Sequence, residues 1–246
     1  GSNPGGGTMK AIIAAAGRGT RMGELTANQP KHLIEVAGKP FLYHVLQNLK
    51  KGGVKEFILV MGYHAEAMEE FAKKYENEFN ITLVNQFEKF GEKKYGTSVP
   101  IEAAETEIKN ELFLAIYGDN LYSPQDVARL VASDDFNYIS VIKHPEPEKY
   151  GVAVMDKDEF LTKIVEKPKE HISNLINTGL YKFTPEIFDE VKKVQKSPRG
   201  EYELTDAVQS LATRRRVKVL KLEDYWQDFG KPEDIEKVEQ FLKEKV

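Results

Sequence analysis

The stretch Ala14-Ala15-Ala16-Gly17-Arg18-Gly19-Thr20-Arg21-Met22, followed closely by Pro30-Lys31, decides how this chain is read. An apolar run over 10–16 leads into it and reads as a short buried strand. The run then breaks into a turn holding two glycines, a hydroxyl and two arginines. Such a turn brings bare backbone N–H groups and cationic side chains up to a polyanion, a triphosphate in the first place. The expectation is a phosphate-handling site at the C-terminal end of a first strand.

Working outward, Phe41, Leu42, Val45, Leu46 and Leu49 recur at helical spacing, with Pro40 suited to the first turn and Gly52-Gly53 as a stop. Residues 57–61 form a second apolar strand, 65–75 return to helical period, and 81–84 form a third strand. This order argues for an α/β fold, a parallel sheet with helices on its faces and right-handed crossovers. In such sheets ligands bind outside the carboxyl ends of the strands, where the opening loop would lie.

Residues 87–96 are polar and glycine-containing, without a regular pattern, and a helix over 97–106 would carry Pro100 in its first turn. The buried strand 112–117 ends in Gly118-Asp119-Asn120, and Ser123-Pro124-Gln125-Asp126 is a capped helix start. Residues 139–143 continue the sheet. From Pro145 the texture changes to short strands at 152–155, 161–165 and 179–183. Helices open at Thr184-Pro185-Glu186 and Leu204-Thr205-Asp206, and a strand follows at 217–222. The last helix starts at Pro232 and places Ile235, Val238, Phe241 and Leu242 on one face. With no repeat or low-complexity linker, residues 9–246 read as one domain whose second half builds a lid over the first. Residues 1–8 (GSNPGGGT) precede Met9 and look like an expression scar.

The 246 residues are 41% hydrophobic, enough for a sizeable core, and no apolar run approaches bilayer length. Without cysteine there is no disulfide, thiolate nucleophile or Cys-ligated metal, which fits a reducing cytoplasm. A net charge of -4 argues against nucleic acid as a partner. Arg214-Arg215-Arg216 reads as a solvated loop.

Several motifs can be weighed on their chemistry. Gly17-x-Gly19 begins a dinucleotide fingerprint, but the third glycine falls at 23, one residue late. No Gly-Lys-Ser/Thr follows a glycine-rich turn, so there is no P-loop, and no serine sits in a G-x-S-x-G elbow. Arg18, Arg21 and Lys31 are either surface charge or phosphate ligands. Asp119 would project into the same crevice from a buried strand, and Asp228 lies in the aromatic segment Tyr225-Trp226-Gln227-Asp228-Phe229-Gly230. Two carboxylates suit Mg²⁺, which commonly takes one or two of them plus substrate phosphates. Equally, Asp119 could cap a turn and Asp228 the last helix. The five histidines, His32, His44, His64, His144 and His171, form no ligand motif and read as structural or exposed.

Read together, these motifs resemble the sugar-1-phosphate nucleotidyltransferases, and among them the glucose-1-phosphate thymidylyltransferases most. The resemblance rests on the segments 16–22, Pro30-Lys31, 118–122, 148–152, Glu166-Lys167-Pro168, 177–181, 197–206 and Trp226-x-Asp228-x-Gly230, in that order along the chain. It implies a Rossmann-like, mixed but mostly parallel sheet with helices on both faces, the nucleotide-diphospho-sugar transferase fold. It implies condensation of an NTP, dTTP or UTP in preference, with a hexose 1-phosphate such as glucose 1-phosphate, releasing pyrophosphate. By resemblance, Ala15, Ala16, Gly17, Arg18, Gly19 and Thr20 wrap the nucleotide, and Gln86 with Gly96 and Thr97 reads a pyrimidine base. Arg21 and Lys31 stabilise the leaving pyrophosphate, and Lys167 positions the sugar phosphate. Tyr150, Gly151, Glu166, Asn177 and Thr178 contact the sugar phosphate, and Asp119 and Asp228 hold Mg²⁺. A homo-oligomer is allowed.

The chain departs from the thymidylyltransferase pattern in two places. The base-reading stretch 86–97 is longer, so the equivalence of Gly96 depends on where a gap falls. The sequence stops soon after its last helix, so neither a left-handed β-helix acetyltransferase half nor extra C-terminal regulatory helices are expected. Two rivals stay open: a cytidylyltransferase for a non-sugar phosphate such as phosphocholine, and a regulatory subunit that binds nucleotide sugars without turnover.

Overall fold

A computed structural model describes residues 8–245, and residues 1–7 of the expected expression scar lie outside the described residues. Lys10–Ala15 (β1) is alanine and isoleucine after its first residue, so it can be covered on both faces. Glu35–Val36 (β2) and Lys39–Pro40 (β3) make a small hairpin before Phe41–Lys51 (α1). Then come Glu56–Met61 (β4), Ala65–Lys74 (α2), Ile81–Asn85 (β5), Gln86–Phe90 (α3) and Val99–Ala103 (α4). Phe113–Tyr117 (β6), Asn120–Tyr122 (β7) and Pro124–Val131 (α5) complete the first half. The second half runs through Asn137–Lys143 (β8), Gly151–Met155 (β9), Leu161–Glu166 (β10), Leu175–Phe183 (β11) and Glu186–Lys193 (α6). It closes with Leu204–Thr213 (α7), Val217–Lys221 (β12), Trp226–Asp228 (β13) and Pro232–Glu244 (α8).

β1 lies parallel between β4 and β6, and β5 extends the row beyond β4. β11 joins β6 antiparallel and carries β8 with β12, and β9 with β10. The resulting nine-stranded sheet is mixed and mostly parallel, with β10 and β11 running against the rest. Two apolar clusters cover its faces. One packs Leu42, Val45, Met68, Phe71, Val127 and Val238 from α1, α2, α5 and α8. The other packs Ile101, Ile187, Val191, Leu204 and Val208 from α4, α6 and α7. The second half continues the same sheet through β11. Among the described residues no helix is long and apolar enough to cross a membrane.

Three local differences from the sequence expectation matter for the site. The stretch at 87–96 opens with α3, because Asn85 Oδ1 accepts from the backbone N–H groups of Phe87 and Glu88. The expected helix over 97–106 shrinks to α4 and a separate 3-10 turn, Glu105–Glu107. β11 begins at Leu175 rather than 179, and its register against β8 shifts between Asn177 and Tyr181. At that bulge Gly179 has φ 80°, and a Cβ there would stand 2.3 Å from Tyr117 Cδ2. The irregularity hides the strand's first half from a period-two reading.

Candidate active site

The carboxyl ends of β1, β5 and β6 open on one cavity of about 440 Å³, a size ordinary for small-molecule sites. All the residues expected at the site line it, except Ala15. β1 alternates there, so Ala14 and Ala16 face the cavity while Ala15 packs into the core.

After β1 the loop turns at Gly19, φ 65°, where a Cβ would press on Thr26 Cγ2 at 3.2 Å and Lys31 Cβ at 3.3 Å. Thr26 Oγ1 donates to the carbonyls of Gly19 and Gly23 at 3.0 and 3.1 Å and clamps the loop from below. The Arg18 guanidinium lies 4.5 Å above the Tyr63 ring. Arg21 reaches across to the far wall: a Cβ on Gly230 would be 3.6 Å from Arg21 Nη2 and 3.7 Å from Asp228 Oδ1.

The acids sit at the centre. Lys31 Nζ donates to Asp119 Oδ2 at 2.7 Å, Asn120 Nδ2 to Asp119 Oδ1 at 3.0 Å, and Trp226 Nε1 to Asn120 Oδ1 at 3.0 Å. β13 pairs antiparallel with β7, setting Asp228 opposite Asn120, and the Phe229 N–H donates to the Asp119 carbonyl at 2.9 Å. The Phe229 ring stacks on Phe41 at 4.1 Å and anchors the segment in the core. Asp234, rather than Asp228, accepts from the Gly230 and Lys231 N–H groups at the start of α8. Asp228 therefore does not cap the last helix, and its carboxylate faces the cavity.

The two carboxyls titrate apart. Burial works to raise Asp119, but chiefly Lys31 holds it below the usual carboxylate range. Burial, then Asp119 and Asp234, push Asp228 up to about 6 against Lys31 and Arg21. His32, buried on the same wall, is held down to about 4 by burial and Lys31, and its Nδ1 has no hydrogen-bond partner. Among the described residues no group of three or more His, Cys, Asp or Glu side chains forms a metal cage. A pair of hard oxygen donors with positions left open fits Mg²⁺, and a cation between them would relieve the repulsion that lifts Asp228.

At one end of the cavity Gly151, Glu166 and Asn177 meet: a Cβ on Gly151 would be 3.0 Å from Glu166 Oε2 and 3.6 Å from Asn177 Cβ. Asn177 Nδ2 donates to Tyr181 Oη at 2.5 Å, and its Oδ1 accepts from the Gly179 N–H at 3.0 Å. Burial pushes the Glu166 carboxyl up, with Arg199 pulling the other way. The Lys167 N–H donates to the Tyr150 carbonyl at 3.0 Å, joining those two residues. Thr178 is committed inward, its hydroxyl donating to the Ser140 carbonyl at 3.0 Å and its own carbonyl accepting from Tyr122 Oη at 2.6 Å. At the other end Gln86 is buried, and its Oε1 has no donor. Gly96, φ 141°, lies so close to Tyr202 that a Cβ would stand 2.3 Å from the Tyr202 carbonyl oxygen. Thr97 Oγ1 accepts from the Leu204 N–H at 2.7 Å, so its hydroxyl holds the start of α7.

Residues 10–245 match the model of the nucleotidyl transferase family. The chain belongs to that family. It is 36% identical over 228 residues to a bifunctional sugar-1-phosphate nucleotidylyltransferase/acetyltransferase of Sulfurisphaera tokodaii, covering 92% of this chain and 54% of that protein. It is 34% identical over 247 residues to the UTP–glucose-1-phosphate uridylyltransferase AglF of Haloferax volcanii, covering 97% of this chain and 98% of that one. Among solved structures, a chain described as a glucose-1-phosphate thymidylyltransferase from Bacillus anthracis, crystallised with sucrose, superposes with a TM-score of 0.81 at 26% identity, covering 95% of each. The chain spans about half the length of the bifunctional relatives it matches.

The cavity is also lined by residues to which the sequence reading gave no role. Arg199, Glu201, Glu203 and Thr205 come from the 197–206 segment, and Trp226 and Asn120 from the acid segments. Those were legible as motifs, though not as wall residues. Tyr95 lay inside the base-reading stretch and His32 beside Lys31, but nothing in the pattern says which side of a loop faces a cavity.

Proposed function

We propose that this protein condenses an NTP with a hexose 1-phosphate to give an NDP-sugar and pyrophosphate, with UTP or dTTP and glucose 1-phosphate as the preferred pair. One observation carries the reading: a single cavity has a cationic glycine loop at its nucleotide end, an acid pair at its centre, and the Gly151, Glu166 and Asn177 hydroxyl-reading group at its sugar end. Gln86 supports uracil or thymine, since its partnerless acceptor suits the N3–H that cytosine lacks.

Two polyanions have to meet, so charge and position do most of the chemistry. The Gly17–Arg21 loop and Lys31 would hold the triphosphate. Lys167 would bring the sugar phosphate oxygen in line with the α-phosphorus. Attack there forms the new P–O bond as pyrophosphate leaves, stabilised by Arg21 and Lys31, without a protein nucleophile. Mg²⁺, held by Asp119 and Asp228, would supply charge neutralisation for the phosphates. The absence of cysteine fits work in a reducing cytoplasm.

The test is pyrophosphate release across five NTPs and a panel of phosphorylated sugars and alcohols with Mg²⁺. Turnover with UTP or dTTP and a hexose 1-phosphate is expected. Turnover confined to CTP with an amino-alcohol phosphate would replace this reading with the cytidylyltransferase one, and tight binding without turnover would make the protein a sensor.

A further inference from the structure

Among the described residues two large hydrophobic side chains are exposed, Leu25 and Tyr95, and Tyr95 lies on the cavity wall. Tyr63, Tyr117, Tyr150 and Tyr181 each pack against another ring. No ring or cation packs against Tyr95 among the described residues, although it is 40% exposed. Its backbone is not loose. The Tyr95 carbonyl accepts from the Tyr202 N–H at 2.9 Å, the Ser98 N–H donates to the Tyr202 carbonyl at 3.0 Å, and Gly96 sits against the Tyr202 backbone. A fixed backbone therefore presents an uncovered aromatic ring to the cavity.

The ring's surroundings point to the nucleotide end. Gly96 and Thr97 follow it directly in the chain, Gln86 lines the same cavity, and its phenol lies within electrostatic reach of Lys31, Arg18 and Glu201. The geometry points to Tyr95 as a stacking platform for the nucleobase, which adds affinity for the NTP and leaves the choice of base to Gln86. This rests on the nucleotidyl-transfer reading and assigns a residue within it. An aromatic face stacks on any base, and such a contact adds about tenfold to affinity.

Isothermal titration with UTP, dTTP and inorganic pyrophosphate, in Mg²⁺, tests it. Tyr95→Ala should weaken UTP and dTTP about tenfold each, leave pyrophosphate binding unchanged, and leave the KM for the sugar phosphate unchanged. Tyr95→Phe should bind within about twofold of wild type. Equal UTP binding by wild type and Tyr95→Ala overturns the inference alone. So does a Tyr95→Phe loss as large as that of Tyr95→Ala, which would make the hydroxyl the acting group. A raised sugar-phosphate KM with UTP binding intact places the ring at the other substrate and also overturns it. Wild-type protein that binds no NTP overturns the nucleotidyl-transfer reading and this inference with it.

Discussion

Asp228 makes the empty protein less stable than it could be. Its carboxyl sits at about 6 in the fold against 3.8 for the free group, raised by burial and by Asp119. A raised acid binds its proton more tightly in the native state, so this contribution is favourable below about pH 4 and is lost as pH climbs through 6. Asp228→Asn should therefore stabilise the metal-free protein at pH 8, by on the order of 2 kcal/mol, and change little at pH 4. Chemical denaturation at the two pH values reads this out. The same variant should lower turnover by about 100-fold or more. Lys167→Ala should instead raise the KM for the sugar phosphate about tenfold or more, with the NTP KM held. Asp119 was readable beforehand because it follows an apolar run that had to be strand, and Asp228 because it is an acid in an aromatic segment. Whether Asp228 capped α8 or faced the cavity turned on Asp234, whose side chain takes the capping N–H groups. Spacing alone cannot rank two acids six residues apart for one cap.

Between elements, the cavity's nucleotide wall depends on Tyr95 to Ser98 lying against Tyr202. Gly96 is the residue that permits it, by its φ of 141° and by the 2.3 Å that any Cβ would leave to the Tyr202 carbonyl oxygen. Gly96→Ala should cost about 2 kcal/mol or more and loosen the cap that Thr97 gives α7. Limited trypsin digestion should then cut faster near Arg199 than in wild type. The main strands and helices of the first half were readable from periodicity, since β1, β4 and β6 are apolar runs and α1 and α2 keep a helical stripe. β11 was half hidden because its bulge at Asn177–Tyr181 breaks the alternation that would announce it. Asn177, at the same bulge, lines the cavity, so the feature that blurred the strand lies at the site.

Across the molecule, two groups on the cavity wall, His32 and Asp228, shift stability with pH in opposite directions. His32 lies at about 4, below its ordinary 6.5, so its contribution is full above pH 6.5 and is lost as pH falls through 4. Asp228 acts with the opposite sign over much of that window. In Asp228→Asn only the His32 effect survives, and its stability should rise more steeply between pH 4 and 6.5 than that of wild type. Equal slopes would remove one of the two groups from the account. The sheet brings both groups to one cavity, where the first-half loops meet the second-half walls across β11. The most direct measurement follows the purified protein with UTP, glucose 1-phosphate and Mg²⁺ by ³¹P NMR. The account predicts sugar-nucleotide diphosphate and pyrophosphate resonances growing in equal amounts, and neither when the sugar phosphate is left out. UMP or UDP produced by hydrolysis, or pyrophosphate formed without the sugar phosphate, would contradict it.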